Sequence, residues 1–478
     1  MTLRPTPWMR KYWQLLWLAA AAGLAGCPAS AEQVAPPQYN FYFPTGLALS
    51  PDERYLFVVS ANSDLRYSSG ALHVLDLDQV DQIANTWRDS PDSKNRAHPD
   101  GCEPIATRPT VLTCPTSNDD GTPASGLVAN AAIQIGSFGV SLGIEPLVAA
   151  DGSASSVSRV FVTVRGDPSI TWADFDSQNP QLTCGGTTAF PRCDEPHRLA
   201  RMLNDATLPS LSSEPFGIAV DTANQHAFVT HLTTGEVTLI AAPNTVGSSP
   251  VLANSFANLF SFSFLDGTIG AVGVAPRLPG DPRGLIYVTS RSEARVGIIH
   301  AIDSGTDAAG RPIESLARTD SFFFDGLATA GDSGDSRNLV FNADGSRAYL
   351  ISRTPPSLRA FDTSLDDAGA PKNNPLGSLE LCAQPANLAL ADFGEGPRAI
   401  FPCFATGQVW ITDPETLQVV SIEDAGRGPV GVAVSARRKK IYIGNYAEDT
   451  LIIIDATPGS IWQHRAVLRI GTPRIVGN

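Results

Sequence analysis

The side chains best suited to chemistry in this chain recur at one position in seven similar segments of its 478 residues. In each segment a short run rich in Val, Ile, Tyr and Phe is followed by a polar loop that carries the side chain in question. Arginine binds planar carboxylate and phosphate groups through paired N–H donors, and histidine can take up a proton. If the seven loops meet, they predict a locally positive rim that binds an anionic small molecule or a peptide end. The loop residues are Asn62, Arg165, His231, Arg291, Arg353, Phe404 and Asn445, of which all but Phe404 are candidate ligand contacts.

The same rim residues also have a purely structural interpretation. They can cap the ends of strands and pair with acidic neighbours such as Asp167 and Glu293. A guanidinium group that is paired with a carboxylate already has its hydrogen bonds satisfied, so it offers little to a ligand. The sequence leaves both interpretations open.

Motifs with a direct catalytic or metal-binding meaning are weaker. Residues 139–143, GVSLG, match the letters of the G-x-S-x-G nucleophile elbow, but an elbow requires a strand, a sharp turn and a helix, and this segment lies within an expected strand. Residues 193–197, CDEPH, are rich in metal-ligand types but are explained more simply by a disulfide-bearing loop. Asp76, Asp78 and Asp81 lack the spacing and the glycine of a calcium loop. The sequence therefore indicates no catalytic residues, no metal site and no cofactor.

The elements that must position the rim are short strands in a repeated order. Residues 428–456 show this order best: a Pro-Gly turn, an apolar strand, a polar bend, an Ile-Tyr-Ile strand, a loop and a third strand that ends at Asp455. Three such strands cannot bury both faces alone, so units of this kind stack into arrays. The order recurs at 44–77, 138–176, 215–243, 270–303, 337–363, 385–413 and 428–456, with candidate fourth strands at 131–137, 377–382, 417–422 and 464–470.

Seven units of four antiparallel strands predict an all-β fold, a seven-bladed β-propeller with long loop insertions. A pair of β-sandwiches also consists of short strands and turns, but it does not predict the same order seven times. Some units match loosely, so the sequence allows six to eight blades. If the first strand of each unit is innermost, the turn before it and the loop after the second strand lie on one face, because antiparallel strands alternate in direction.

The units resemble the YVTN family of seven-bladed propellers, whose repeat reads Pro-x-Gly-aliphatic-Ala-aliphatic, Ser-Pro-Asp-Gly, Tyr-Val and Val-x-Val-x-Asp. Residues 44–59, 215–229 and 429–455 match this repeat best. The resemblance covers nearly all of the repeat region. It implies the fold more strongly than any activity, because one fold hosts many functions.

The chain supplies more residues per unit than the 40–45 or so that a compact blade needs, so the excess must form insertions. The largest are predicted at 78–130, 177–213 and 304–336, and residues 198–204, RLARMLN, can form a short helix. Loops of such length are uncommon unless they are functional or mobile. The insertions are therefore expected to act as partner-specific surfaces, and removal of 78–130 is expected to leave the fold intact.

The N-terminus is similar to a bacterial lipoprotein signal. Three basic residues precede an apolar run at 13–24 that is too short to span a bilayer comfortably. The run ends in LAGC at 24–27, which resembles a lipobox and implies cleavage before Cys27 and lipidation of that residue. Pro28 in place of aspartate implies an outer-membrane anchor, and an ordinary secretory signal with an incidental cysteine is the alternative. The expected parts are a signal peptide at 1–26, a lipid-anchored tether at 27–38 and the propeller at 39–478.

The remaining cysteines fit an exported protein. Without Cys27, six of the seven cysteines remain, which is an even number in an expected oxidising compartment. Six cysteines allow fifteen connectivities, and free buried thiols are the alternative to any of them. Proximity in sequence favours Cys102–Cys114 and Cys184–Cys193 and leaves Cys382–Cys403 as the third pair.

The chain carries a formal charge of −14, and 43% of its residues are hydrophobic. This charge argues against nucleic acid as a partner, because phosphates are bound by clustered positive charge. We therefore expect a monomeric, non-enzymatic binding or scaffold protein of the bacterial cell envelope, held at the outer membrane by its lipid anchor alone. Its partner would be an envelope protein, a glycan or a small anionic ligand.

The alternative function comes from a likeness to lactonase-like propellers, which have similar repeats. Those enzymes hydrolyse sugar lactones near the central channel. The likeness implies an anionic sugar lactone as substrate, with His231 as base and Arg165, Arg291 and Arg353 holding the substrate.

Overall fold

The computed structural model describes residues 34–92, 95–256, 270–278, 280–281, 283–306, 310, 312–324 and 334–474. Its strands form seven sheets around a central channel, each built on four antiparallel strands, so the predicted seven-bladed β-propeller is confirmed. The first strand of each blade lies innermost and the others follow outward in chain order. The described residues contain one α-helix, and it is too short and too polar to cross a membrane.

Blade 1 is interrupted by the insertion between its third and fourth strands. The elements in chain order are β1 (Pro44–Leu49), β2 (Tyr55–Ser60), β3 (Gly70–Asp76), α1 (Leu77–Arg88), β4 (Glu103–Ile105), β5 (Arg108–Cys114) and β6 (Ile133–Ile135). The sheet of the blade has the order β1-β2-β3-β6.

Blades 2 to 4 follow the same pattern. Blade 2 contains β7 (Gly139–Val148), β8 (Ala154–Val164), β9 (Ser169–Asp176) and β10 (Gln181–Thr183), with β11 (Arg198–Leu199) also paired to β9. Blade 3 contains β12 (Pro215–Asp221), β13 (His226–His231), β14 (Val237–Ala241) and β15 (Val251–Phe256). Blade 4 contains β16 (Ala271–Pro276), β17 (Ile286–Ser290), β18 (Arg295–Thr306) and β19 (Pro312–Phe323).

Blades 5 to 7 complete the ring. Blade 5 contains β20 (Ser336–Phe341), β21 (Arg347–Arg353), β22 (Pro356–Asp362) and β23 (Asn374–Glu380). Blade 6 contains β24 (Ala389–Asp392), β25 (Pro397–Cys403), β26 (Gln408–Asp413) and β27 (Gln418–Asp424). Blade 7 contains β28 (Pro429–Ser435), β29 (Lys440–Asn445), β30 (Thr450–Asp455) and β31 (Arg465–Ile470).

The glycine of the Pro-x-Gly repeat is required by the close approach of neighbouring inner strands. A Cβ atom added at Gly46 would lie 2.7 Å from the carbonyl oxygen of Val140 on the next inner strand. A Cβ atom at Gly217 would lie 2.2 Å from the carbonyl oxygen of Val272. Both distances are far below van der Waals contact, so a side chain at either position would push the blades apart. Glycine at these two positions thus lets the inner strand of blade 1 approach that of blade 2, and the inner strand of blade 3 approach that of blade 4.

The aspartate of the Val-x-Val-x-Asp repeat ends the third strand by binding the turn that follows. In five blades its Oδ1 accepts a hydrogen bond from the backbone N–H two residues later, at 2.8–3.0 Å. Aspartate favours turns of this kind because its short side chain mimics a backbone acceptor. The repeated aspartates are therefore a requirement of the fold, and they are Asp76, Asp176, Asp362, Asp413 and Asp455.

The insertion at 78–130 is part of the core, contrary to the expectation that it can be removed. It begins with α1. Asp76 caps the N-terminus of this helix, because its side chain accepts a hydrogen bond from the backbone N–H of Asp78. The buried side chains of α1 recur every three or four residues and pack between blades 7 and 1. β5 then pairs in parallel with β31 on the outer edge of blade 7, and β4 pairs with β5. A segment of blade 1 thus extends blade 7 and joins the two ends of the ring.

The other two predicted insertions also contribute strands. Residues 177–213 provide β10 and β11. The predicted helix at 198–204 is wrong, because Arg198 and Leu199 pair with β9 and Leu199 is buried between blades 2 and 3. Tertiary pairing here overrides local helix propensity. Residues 304–336 contain all of β19, the fourth strand of blade 4.

Candidate functional site at the mouth of the central channel

A cavity of about 180 Å³ lies on the axis of the propeller, between the inner strands. All seven blades contribute to its wall. Arg337 is the one charged residue among the described residues that line it, and it comes from β20. Each blade places one residue of equivalent position on the wall: Thr45, Val140, Phe216, Val272, Arg337, Ala386 and Val430.

The guanidinium group of Arg337 is desolvated but only partly bonded. Its side chain is 13% exposed, and its Nη2 lies 3.0 Å from Oδ2 of Asp335. Burial lowers the pKa of Arg337 in spite of that carboxylate. Among the described residues, Arg337 Nε and Asp335 Oδ1 are buried without a hydrogen-bond partner. Unpaired buried polar atoms are unfavourable. A ligand that supplies an acceptor to Arg337 Nε and a donor to Asp335 Oδ1 would therefore be stabilised by two hydrogen bonds.

Arg353 and Arg291 extend the positive charge from Arg337 to the rim. Burial, together with the nearby charges of Arg337 and Arg291, lowers the pKa of Arg353 to about 10 against an opposing effect of Asp335. The Nε of Arg353 donates to the carbonyl oxygen of Pro385 at 3.0 Å, which aims the side chain. The side chain of Arg291 is exposed and has no hydrogen-bond partner within the described residues. Three guanidinium groups are thus close enough to repel one another.

Arg165, which follows β8 of blade 2, is the fourth arginine of this cluster. It forms an ion pair with Glu214, which also accepts a hydrogen bond from Thr233. These two bonds and the charges of Arg165 and Arg291 hold the pKa of Glu214 below its ordinary value, although burial opposes them. The cluster therefore sets four guanidinium groups against two carboxylates, and it keeps an excess of positive charge on an acidic protein.

The other three polar rim residues, Asn62, His231 and Asn445, are fully buried and hold the loops in place. The Nδ2 of Asn62 donates to the carbonyl oxygen of Tyr67 at 2.8 Å, and the Nδ2 of Asn445 donates to that of Ala425 at 2.6 Å. Each loop residue thereby replaces backbone hydrogen bonds that the strand ends lack. Their side chains are not accessible to a ligand in this structure.

His231 is held by both of its ring nitrogens. Its Nδ1 lies 3.1 Å from the carbonyl oxygen of Ser213, and its Nε2 lies 2.8 Å from Oγ1 of Thr238. Burial lowers the pKa of His231 to about 4, so the ring is neutral at physiological pH. A buried imidazole with both nitrogens engaged is not in a position to take a proton from a substrate in the channel.

The acidic neighbours named as alternative partners of the rim arginines pair elsewhere. Asp167 contacts Arg198, and Glu293 lies 2.8 Å from Arg295. Arg165 and Arg291 are therefore not neutralised by them. The aromatic rim residue Phe404 is half-buried, with its ring centroid 6.2 Å from that of Tyr446.

The three predicted cysteine pairs are confirmed as disulfides. Their Cα–Cα distances are 4.2, 4.9 and 6.0 Å for Cys102–Cys114, Cys184–Cys193 and Cys382–Cys403. Cys27 lies outside the described residues, as do the signal peptide and most of the tether. Residues 139–143 form the start of the inner strand β7, without the helix that a nucleophile elbow requires.

No protein-family model and no curated protein match this chain. Among solved structures, the β-propeller domain of Cps50 (Swd1) from Myceliophteria thermophila aligns over 86% of this chain and 96% of its own, with 9% identity and a TM-score of 0.49. The periplasmic gluconolactonase PpgL of Pseudomonas aeruginosa aligns over 79% of this chain and 84% of its own, with 15% identity and a TM-score of 0.45. Likenesses this distant carry no argument about function. The similarity to the YVTN family remains a resemblance of repeats.

Sequence reasoning missed Arg337, Asp335 and Glu214, which contribute half of the charges at the channel mouth. The signal for Arg337 was present in the repeat itself. In the Pro-x-Gly repeat the middle residue faces the channel, and Arg337 is the charged residue at that place. The looser match of blade 5 to the repeat hid it, because Ser336 and Asn338 stand where proline and glycine are expected.

Proposed function

We propose that this protein is a lipid-anchored propeller of the bacterial cell envelope that binds a small anionic ligand at the mouth of its channel, without catalysis. The observation that supports this proposal best is the state of Arg337. It is a largely buried guanidinium group with an unpaired Nε, beside the further positive charges of Arg353 and Arg291. An anion with carboxylate or phosphate oxygens matches this set of donors.

The rigid frame suits binding better than turnover. Arg337 stands on the inner strand β20, and the loops at Arg291 and Arg353 are held by hydroxyl groups of the fully buried Ser290 and Ser352, so the positions of these arginines are set before a ligand arrives. Among the described side chains at the mouth, none is a nucleophile with an accessible base beside it. The envelope protein or glycan expected as a partner would then meet the outer surfaces of the blades while the channel holds the anion.

The Arg337→Ala variant is expected to bind an anionic sugar acid at least about tenfold more weakly than the native protein, because charge-assisted hydrogen bonds contribute about 1.5–3 kcal/mol. Isothermal titration with 6-phosphogluconate and with succinate measures this. Arg437→Ala is the matched control, because Arg437 is 62% exposed and lies in the β28–β29 turn at the opposite end of the inner strands. Equal affinity of all three proteins, or no binding by any of them, would contradict the proposal.

A lactonase-like hydrolase remains the second candidate, and one feature of the site favours it. Asp335 has a buried oxygen without a partner beside Arg337, and this carboxylate can activate water if an arginine holds a lactone. The base in that reaction would be Asp335 instead of His231. Hydrolysis of gluconolactone or its 6-phosphate above the rate in buffer, lost in Asp335→Asn, would favour this candidate over simple binding.

The Cys27→Ser variant is expected to move from the membrane fraction to the soluble fraction of the envelope. The reason is that lipidation needs the cysteine thiol. In addition, no helix in the described part of the chain can span a membrane and act as a second anchor. Fractionation of cells that produce the two proteins, with metabolic labelling by a fatty-acid analogue, measures the change. If both proteins stay in the membrane fraction, or if neither takes up label, the lipid anchor is wrong.

A further inference from the structure

A second and larger cavity, of about 560 Å³, opens between blades 3 and 4. It lies where the inner strand β12 ends at Asp221, whereas the Arg-rich mouth lies where β20 begins. The two cavities are therefore at opposite ends of the inner strands. A volume of this size is in the range of sites that bind small molecules.

Two carboxylates face each other across the wall of this cavity. Asp303 on β18 and Glu314 on β19 are directly opposed partners in the antiparallel pair of outer strands of blade 4. Like charges at directly opposed positions destabilise a sheet. A natural sequence retains such a pair at a cost in stability, and a cation between the two groups would relieve it.

The carboxylate of Glu314 is poorly satisfied within the chain. Its side chain is 10% exposed, and its Oε1 lies 3.3 Å from Nε2 of His226, which also lines the cavity. Its Oε2 is buried and has no hydrogen-bond partner among the described residues. A buried carboxylate oxygen without a donor is costly, and a ligand N–H group is the missing donor.

The other charged groups on the wall do not supply that donor. The guanidinium group of Arg283 is occupied by Asp281, with Nε 3.2 Å from Oδ1 and Nη2 3.1 Å from Oδ2. The carboxylate of Asp221 accepts a hydrogen bond from Asn224 Nδ2 at 2.7 Å. The wall therefore keeps an excess of negative charge around Glu314.

Part of the wall is apolar. Pro243 and Ala301 are partly exposed there and add small aliphatic surfaces. An aliphatic chain can lie along these two residues while its charged end reaches the carboxylates.

We propose that this cavity binds an organic cation, namely an aliphatic ammonium or guanidinium ion, with its charged end between Glu314 and Asp303 and its chain along Pro243 and Ala301. This site is independent of the anion site. It lies at the opposite end of the inner strands and carries the opposite charge, so either site can be present without the other.

The experiment titrates agmatine, as the guanidinium probe, and putrescine, as the ammonium probe, into the purified protein at low ionic strength by calorimetry. Saturable binding of at least one probe with one site per chain is expected. Glu314→Gln should weaken that binding by at least about tenfold, since a charged hydrogen bond is lost. Glu415→Gln is the matched control, because Glu415 is an exposed carboxylate on blade 6 and its ion pair with Arg347 is long, at 3.9 Å.

Asp303→Asn provides a second variant at an exposed position, and it decides the matter if Glu314→Gln does not fold. Weaker binding in either variant, with Glu415→Gln and Arg337→Ala unchanged, supports the cation site. The proposal is overturned if neither probe binds saturably. It is also overturned if the affinity of each probe is the same for the native protein and for every cavity variant that folds.

Discussion

Leu112→Ala is expected to lower the free energy of unfolding by about 2–5 kcal/mol, the usual range for truncation of a leucine in a packed core. Leu112 belongs to the insertion of blade 1, yet it is fully buried and paired with Leu468 of blade 7. Its side chain packs in the core between blades 7 and 1, next to the Cys102–Cys114 disulfide. Denaturant unfolding followed by tryptophan fluorescence measures the loss.

The expected loss is large because β5 supports two interfaces at once. Successive side chains of a strand point to opposite faces. Leu112 therefore packs between blades 7 and 1, whereas Val111 packs between blades 6 and 7. Among the described strands, only β5 of this insertion pairs a segment near the N-terminus with the last blade. A cavity at Leu112 therefore weakens the strand pairing that joins the two ends of the ring in the described part of the chain.

Leu376→Ala is the matched control for this prediction. Leu376 also lies in an outer strand, β23, but its exposed fraction is 52%. Surface substitutions of this kind usually change stability by no more than about 0.5 kcal/mol. Similar losses of unfolding free energy for the two variants would show that β5 does not stabilise the closed ring.

By the same reasoning, replacing residues 90–126 by a short linker is expected to abolish soluble protein instead of leaving a complete propeller.

The fold was predictable because its units repeat. Short Val- and Ile-rich strands in one order recur seven times, and the sequence positions of the fourth strands agree with β6, β23, β27 and β31. The repeat carries its own physical reasons: glycine at 46 and 217 for strand approach, and aspartate at the strand end for the turn. Local rules of this kind can be applied to a sequence without coordinates.

Ring closure was not predictable, because it depends on a pairing between distant segments. Nothing local in β5 specifies that it adds to β31, and loop-rich composition makes residues 78–130 look like a surface insertion. The helix α1 was missed for a similar reason, since its strong cap at Asp76 coincides with the repeated aspartate that elsewhere ends a strand.

The candidate site was predictable only in part, because a loop position does not determine side-chain exposure. Arg165, Arg291 and Arg353 reach the channel mouth as polar groups, whereas Asn62 and His231 at the equivalent place are buried. A small side chain or an imidazole can fold back and satisfy the loop. A long guanidinium side chain extends past it toward water. Side-chain length separates the two groups in blades whose backbones are alike.

Asp455→Ala is expected to lower the free energy of unfolding by about 3–5 kcal/mol, because it leaves buried positive charge without a partner. The side chain of Asp455 is fully buried, and its Oδ2 lies 3.0 Å from Nζ of Lys440 and 2.7 Å from Nη1 of Arg88. Burial raises the pKa of Asp455, but the charge of Lys440 and hydrogen bonds from Thr457 and Arg88 outweigh this effect and hold the pKa below its ordinary value. The carboxylate thus connects α1 of the insertion to two strands of blade 7.

Asp362→Ala tests whether this loss comes from the buried charges or from the turn. Asp362 holds the same repeat position in blade 5 and makes the same hydrogen bond to the following turn, but its side chain is 29% exposed and its cation, Lys372, is 3.7 Å away. Loss of the turn alone should cost about 1 kcal/mol. If the two variants lose equal stability, the turn accounts for the whole effect. If Asp455→Ala loses far more, and adding Lys440→Met restores part of that loss, the buried ion group between the insertion and blade 7 is what keeps the ring closed.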